Sequence, residues 1–162
     1  MNHFYFLPLV ALLYVIVKED LNHYSVSDFW IIMIGIILML KDGFHLTEII
    51  ENVKMIVFTL GVSVVLKIVI ENFLFYISKG NKNFTISEAD VLLVGVLGMY
   101  FNASGFLLFL YTTFLFWFGV LILKIYYPVV VGVTRAEQKG HLKFAFTPYI
   151  VSGFFVTIFI GA

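Results

Sequence analysis

Few residue types in this 162-residue chain are able to do covalent chemistry. It has no cysteine, which removes a disulfide framework, a thiolate zinc site, an iron–sulfur cluster and a cysteine nucleophile together. Carboxylates, hydroxyls and four histidines remain. Asp20 and Asp90 are the pair with the most to offer. Two carboxyls brought close do not both ionise easily, so one keeps its proton and serves as general acid while the other, ionised, activates water. Burial at a membrane edge would widen that split, because desolvation raises a carboxyl pKa. Plain structural readings stand beside the chemical one. Asp20 also marks a helix end, and Ser87-Glu88-Ala89-Asp90 ahead of an apolar run fits a variant capping box with Ser87 as N-cap. His3, His23, His45 and His141 are too scattered to suggest a metal site, and neither a phosphate-cradling glycine loop nor a serine nucleophile motif is present. The chemistry expected therefore needs no metal and no cofactor.

The elements that must position these acids lie in a lipid-like composition. Apolar residues make up 62% of the chain and charged ones 12%, against roughly 25% charged in an average soluble domain, which rules out a water-soluble globule. Ten basic residues balance ten acidic ones, leaving no electrostatic footprint for nucleic acid. A membrane-crossing helix needs on the order of 20 mostly apolar residues, and six candidate spans are found. They run from about Phe4 to Val17, Val26 to Leu40, Met55 to Ile77, Val91 to Phe101, then beyond the turn signal Asn102-Ala103-Ser104-Gly105 to Leu123, and Phe144 to Ile160. No basic residue precedes the first, which argues against a cleaved signal peptide. The fourth is only about half a crossing, so to span it must begin near Phe84, carrying Glu88 or Asp90 into the membrane boundary, where an unpaired carboxylate suggests function. The fold expected is an all-α integral membrane protein, a six-transmembrane-helix bundle forming one domain over residues 1–162, with no internal repeat or linker.

Orientation follows from flanking charge, since cytoplasmic loops hold the excess of Lys and Arg. With the N-terminus outside, the inner segments hold Lys18, Lys79, Lys82, Lys124, Arg135, Lys139 and Lys143, and the outer loops only Lys41 and Lys54. Both termini are then outside, and the longest loop, about Tyr126 to Lys143, is cytoplasmic. Parity brings Asp20, Asp90 and Pro148 to one membrane face whichever way the chain points.

Three segments at those positions resemble a known family. Asp20-Leu21-Asn22-His23-Tyr24-Ser25-Val26-Ser27-Asp28 resembles the first active-site segment of the type IV prepilin peptidases, membrane aspartic peptidases to which the archaeal preflagellin peptidases are related. There Asp-Leu is followed by Ile-Pro-Asn six residues after the Asp; here Val26 takes the Ile place, and Ser27 and Asp28 replace Pro-Asn. The stretch from Ser87 to Gly98 is similar to the second segment, Gly-x-Gly-Asp-Val-Lys-Leu, with Gly98 matching a Gly eight positions beyond the Asp. Ser87 and Ala89 stand in place of its glycines and Leu92 in place of Lys. Phe146-Thr147-Pro148-Tyr149-Ile150-Val151-Ser152-Gly153 resembles the third, Pro-Phe-Gly-Pro-Tyr with a Gly five residues after the second Pro. The resemblance covers the chain from about residue 8 onward. It implies an aspartic endopeptidase with Asp20 and Asp90 as catalytic dyad, water as nucleophile and no cofactor. Its substrate would be a pilin-like precursor cut between a cytoplasmic basic leader and an apolar helix in the bilayer. Longer relatives also carry a cysteine-containing segment and methylate the new N-terminus; with no cysteine here, methyltransferase activity is not expected.

Other charged and aromatic residues admit humbler roles. Glu19 and Glu88 either attract basic leader residues or are solvated helix-end charges. Lys67 and Glu71, four apart on one helix face, are a structural ion pair or a snorkelling lysine, with a cavity- or groove-lining pair as the alternative. His23 is a surface histidine or a tuner of Asp20. Tyr126, Tyr127 and Trp117 suit an interfacial belt, and Pro128 with Val129 to Val133 is too short to cross. Two other functions compete: a catalytically impaired relative that binds leader-bearing helices or helps assemble a pilus or secretion apparatus, and a small transporter or channel subunit, which explains Lys67 and Glu71 but not the three segments.

Overall fold

The computed structural model describes residues 5–23, 25–40, 46–77, 83–84, 86–126, 136–138, 141–143 and 146–161. Among the described residues, regular structure is helical but for three very short strands. Six helices occur among them, in the order α1 (Phe6–His23), α2 (Asp28–Met39), α3 (Leu46–Ile77), α4 (Glu88–Gly98), α5 (Ala103–Tyr126) and α6 (Thr147–Ile160). They coincide with the six apolar stretches of the sequence, in the same order. His3, His45, Lys41, Lys79, Lys82, Arg135, Lys139, Tyr127 and segment 128–133, to which the sequence assigns roles, lie outside the described residues.

Helix α1 shows how the pattern works. Its buried residues are Leu9, Leu13, Ile16 and Asp20, spaced by four, three and four, so they share one face. Asp20 continues an apolar stripe into the core. Leu7 and Tyr14, on the other face, remain exposed. Pro8 sits in the first turn, where a missing N–H breaks no helical bond. Helix α4 is buried on most sides, through Asp90, Val91, Leu93, Val94, Gly95, Leu97 and Gly98, and packs against α2, α3 and α6. It is the central helix of the bundle.

Close approach of α4 and α6 to their neighbours depends on glycine. A Cβ on Gly98 would meet the Phe106 ring at 2.6 Å and Thr59 at 2.8 Å, and one on Gly153 would meet the backbone of Thr113 at 2.8 Å. Hydroxyls join the same helices. Thr59 donates to the Gly95 carbonyl at 2.7 Å, linking α3 to α4, and Thr112 reaches both the Gly153 carbonyl at 3.2 Å and Thr157 Oγ1 at 3.0 Å, linking α5 to α6. Small residues and buried hydroxyls are the devices that hold helices together where apolar burial between them drives little.

Two features depart from the sequence expectation. Helix α4 begins at Glu88, not near Phe84, and its 11 residues rise only about 16 Å. It does not reach across a hydrocarbon core of roughly 30 Å. Ser87 is the reason: it caps the helix, its hydroxyl accepting from the Asp90 N–H at 3.0 Å. The break before α5 is likewise a cap, with Asn102 Oδ1 accepting from the Gly105 N–H at 2.8 Å. Second, the strands β1 (Asn83–Phe84), β2 (Ala136–Gln138) and β3 (His141–Lys143) form a small sheet in the order β1-β3-β2, where the sequence offered only loops. β1 and β3 are parallel, Asn83 opposite His141 and Phe84 opposite Leu142. The chains entering α4 and α6 therefore run side by side.

By length and composition one helix among the described residues, over Leu46–Phe73, is long and apolar enough to cross a membrane; α2, Ala103–Gly119 and α6 are apolar but shorter. Large apolar side chains face outward on most helices, among them Ile32, Val65, Leu107 and Phe159.

Packing at Gly153 gives a direct test. Gly153→Ala is expected to force α5 from α6 against unyielding backbone and cost about 1–3 kcal/mol, lowering the melting temperature in detergent by roughly 2–4 °C per kcal/mol. Gly61→Ala, with nothing within 4 Å of its new Cβ, should be neutral or raise it slightly.

Candidate active site

Asp20 lies in the last turns of α1 and Asp90 in the first turn of α4, 3% and 5% exposed. What brings them together is Thr147, the first residue of α6. Its backbone N–H donates to Asp20 Oδ2 at 3.1 Å, and its hydroxyl donates to Asp90 Oδ1 at 3.1 Å. Asp90 Oδ2 accepts the Ser87 hydroxyl at 2.7 Å. The end of α1 and the starts of α4 and α6 thus meet at one point, the juxtaposition that parity gives.

Local sequence explains each partner. The first N–H groups of a helix have no intrahelical acceptor, and Pro148, next in line, has none to offer. Thr147 is therefore the first free donor of α6, and it is directed at a carboxylate. Asp90 is the third residue of α4, where acidic side chains complement the positive end of the helix dipole. Ahead of α4, the Ile86 N–H donates to Glu71 Oε1 at 2.8 Å, fixing the approach to Ser87. Behind α1, the Ser27 N–H donates to Glu19 Oε2 at 3.1 Å, fixing the turn into α2. Trp117 packs edge-on against Phe146, ring centroids 5.9 Å apart, and steadies the residue before Thr147.

Several sequence readings resolve here. The capping-box reading is borne out, since Ser87 caps α4, and its hydroxyl also bonds the Asp90 carboxylate. Lys67 and Glu71 form no ion pair among the described residues; Glu71 serves the Ile86 N–H, and Lys67 lines a cavity. Glu19 braces a turn, while Glu88 and His23 are exposed. Trp117 is a packing residue. Tyr126 ends α5. Thr147 is the site residue that motif reading passed over, because directly before a helix-starting Pro it reads as an ordinary helix-start residue. No group of three or more potential metal ligands occurs among the described residues.

Against Asp90 opens a cavity of about 40 Å³, room for two or three waters at roughly 10–15 Å³ each. Its wall is mainly hydrocarbon, from Leu66, Ile70, Val94 and Leu110 among others, with Lys67, Ser63 and Thr113 as its other polar residues. Thr113 Oγ1 is buried with no hydrogen-bond partner among the described residues.

Asp20 follows the apolar residues of the Leu9, Leu13, Ile16 stripe in α1, and Asp90 precedes the apolar run of α4. Burial pushes the Asp20 carboxyl above its usual range, against the lowering effect of its hydrogen bonds from Thr147. Burial also pushes Asp90 up, with the charge of Asp20 adding to the rise and the Ser87 and Thr147 bonds opposing it. The folded chain thus holds these protons more tightly than the unfolded chain, and stability is lost as pH rises from about 4 through the folded values. Asp20→Asn keeps an acceptor for the Thr147 N–H and removes one ionisation. It is expected to raise the melting temperature by about 2–4 °C at pH 7.5 and to leave it close to the parent's near pH 4, as read by thermal unfolding in detergent at both pH values. A variant less stable than the parent at pH 7.5 would contradict this account of the pair.

Comparison with family models, curated proteins and solved structures finds no match for this chain.

Proposed function

We propose that the protein is a membrane-embedded aspartic endopeptidase that removes the leader of a pilin-like precursor at the cytoplasmic membrane boundary. The observation that carries this reading is the bonding of one residue, Thr147, to two buried carboxyls seventy positions apart. A buried acid pair, one member of which, Asp90, lines a small cavity, has the groups that amide hydrolysis by water requires. The ionised carboxylate takes a proton from a water molecule as its oxygen adds to the carbonyl carbon, and the protonated carboxyl gives its proton to the carbonyl oxygen. The resulting tetrahedral diol collapses, the C–N bond breaks, and the leaving nitrogen takes a proton from the pair. Ser87, Thr147 and the helix ends keep the pair oriented through both steps.

The membrane reading belongs to the same proposal. The outward-facing apolar residues and the long α3 support a multi-pass arrangement in the cell membrane, with both termini outside and the acid pair facing the cytoplasm on the balance of flanking Lys and Arg. A cut at the inner boundary separates a basic leader in water from an apolar helix in lipid. The competing reading, a binding or assembly factor without activity, is favoured by one observation: both oxygens of Asp90 already accept hydroxyls.

Co-expression with a pilin-type precursor separates the two. Processing of the precursor to a smaller product by the parent chain, reduced at least a thousandfold in Asp20→Asn and in Asp90→Asn at unchanged protein level, is the expected result. Cleavage untouched by either substitution would remove the dyad, and capture of uncleaved precursor by the parent chain would favour the binding factor.

A further inference from the structure

Two buried acids that share a task need their relative orientation fixed, and hydroxyl groups supply it here. Each oxygen of Asp90 accepts a different hydroxyl, Oδ2 that of Ser87 and Oδ1 that of Thr147. Thr147 also holds Asp20 through its N–H. Its side chain is fully buried, and a β-branched residue has few rotamers to choose from, so the hydroxyl has little freedom to leave Asp90. Capping does not account for it: the N-cap of α6 is Phe146, and the Thr147 hydroxyl bonds a carboxylate on another helix. In the segments to which this sequence is similar, glycine stands at both places, so this arrangement belongs to this chain.

We infer that Thr147 is the positioning residue of the acid pair, its hydroxyl and N–H together with the Ser87 hydroxyl forming a clamp that fixes Asp90 against Asp20. The inference deepens the peptidase reading and rests on it for what the pair does, while the geometry of the clamp stands apart from any substrate. Hydroxyl donors favour the charged form of the acid they bond, so the clamp brings ionisation of a buried pair down toward neutral pH. Among the described residues, the charged or titratable groups on α4 and on the elements packed against it include Lys67 on the cavity wall, Glu71 bonded to Ile86, exposed Glu88 and Asp28, and half-buried Tyr149. All of these are common to the parent and the variants below, so a difference between them reads the hydroxyl.

The test uses the full chain in detergent and follows the infrared absorption of protonated carboxyls as pH is varied, with Asp90→Asn identifying the bands of the pair. Thr147→Val keeps the shape and loses the hydroxyl; its titration is expected to move up by about one pH unit, a tenfold change in proton affinity. Thr147→Ser restores the hydroxyl and should return it to the parent's position. If Thr147→Val does not accumulate folded, Thr147→Ala takes its place with the same expectation. On a cleaved precursor the ascending limb of the pH profile should move in the same direction. A parent-like titration without the hydroxyl, or an equal displacement in Thr147→Ser, overturns the inference. Because the infrared reading needs no precursor, absence of cleavage would count against the peptidase and leave the clamp standing or falling on its own result.

Discussion

The bonds from Thr147 to two buried carboxyls set the terms for the rest of the structure. They require the end of α1 and the starts of α4 and α6 to lie at one level, although these come from positions 20, 90 and 147 of the chain. Each approach to that level is braced locally. Glu19 ties the turn after α1, Glu71 holds the chain before α4, and the parallel pairing of β1 with β3 runs the two chains that enter α4 and α6 side by side. A helix start is a poor place to improvise, because its direction fixes every residue that follows. Here two starts and one end are fixed against the same few atoms.

Burying two acids is unfavourable, since removing a carboxylate from water costs several kcal/mol even after relaxation. Several favourable terms oppose it at this site. Both acids face helix N-termini, whose partial positive charge and free N–H groups favour an anion. Two hydroxyls add charge-assisted bonds on Asp90. The raised pKa of each acid lowers the charge that must be held. Yet the pair remains a source of instability at neutral pH, and the packing around it must supply the difference. That packing is tight: Gly98 and Gly153 admit their neighbours to distances that exclude a methyl group. The aromatic cluster of Phe101, Phe106, Phe109 and Phe154 fills the opposite end of the core.

Much of this was legible in the sequence, for reasons that differ by residue. The six helices of the described residues follow apolar runs, and a helix satisfies its backbone groups within the run itself. Asp20 was legible twice over, as a charge ending an apolar run and as the continuation of the stripe Leu9, Leu13, Ile16. Gly98 and Gly153 were legible as members of motifs, and the structure gives them a packing cause. The start of α4 is legible in the capping box at Ser87, whose local bonds decide where the helix begins, and not in the length that a full crossing would need. The short strands left no trace, since pairing between residues 83–84 and 141–142 depends on long-range contact and not on a local pattern. Thr147 stayed hidden for a similar reason: threonine is an ordinary residue at a helix start, and only its distance to acids on two other helices gives it meaning.

The short helices bear on how the acid pair would meet a bilayer. Helix α3 has 32 residues and rises about 48 Å, enough to cross roughly 30 Å of hydrocarbon with tilt. Helices α2, α4 and α6 have 12, 11 and 14 residues and rise only about 16–21 Å. On the peptidase reading, the acid pair sits at the starts of two short helices, α4 and α6. Either the bilayer thins there or the pair lies below the plane of the headgroups, and each brings the same advantage. A precursor helix would offer its scissile bond to the acids without being drawn far into water, while its apolar remainder stays in lipid beside α3. A full-length α4 beginning near Phe84 would carry Asp90 nearer the middle of its helix, bonded neither to a capping serine nor to the start of α6. The shortness of α4 is thus part of what makes the site.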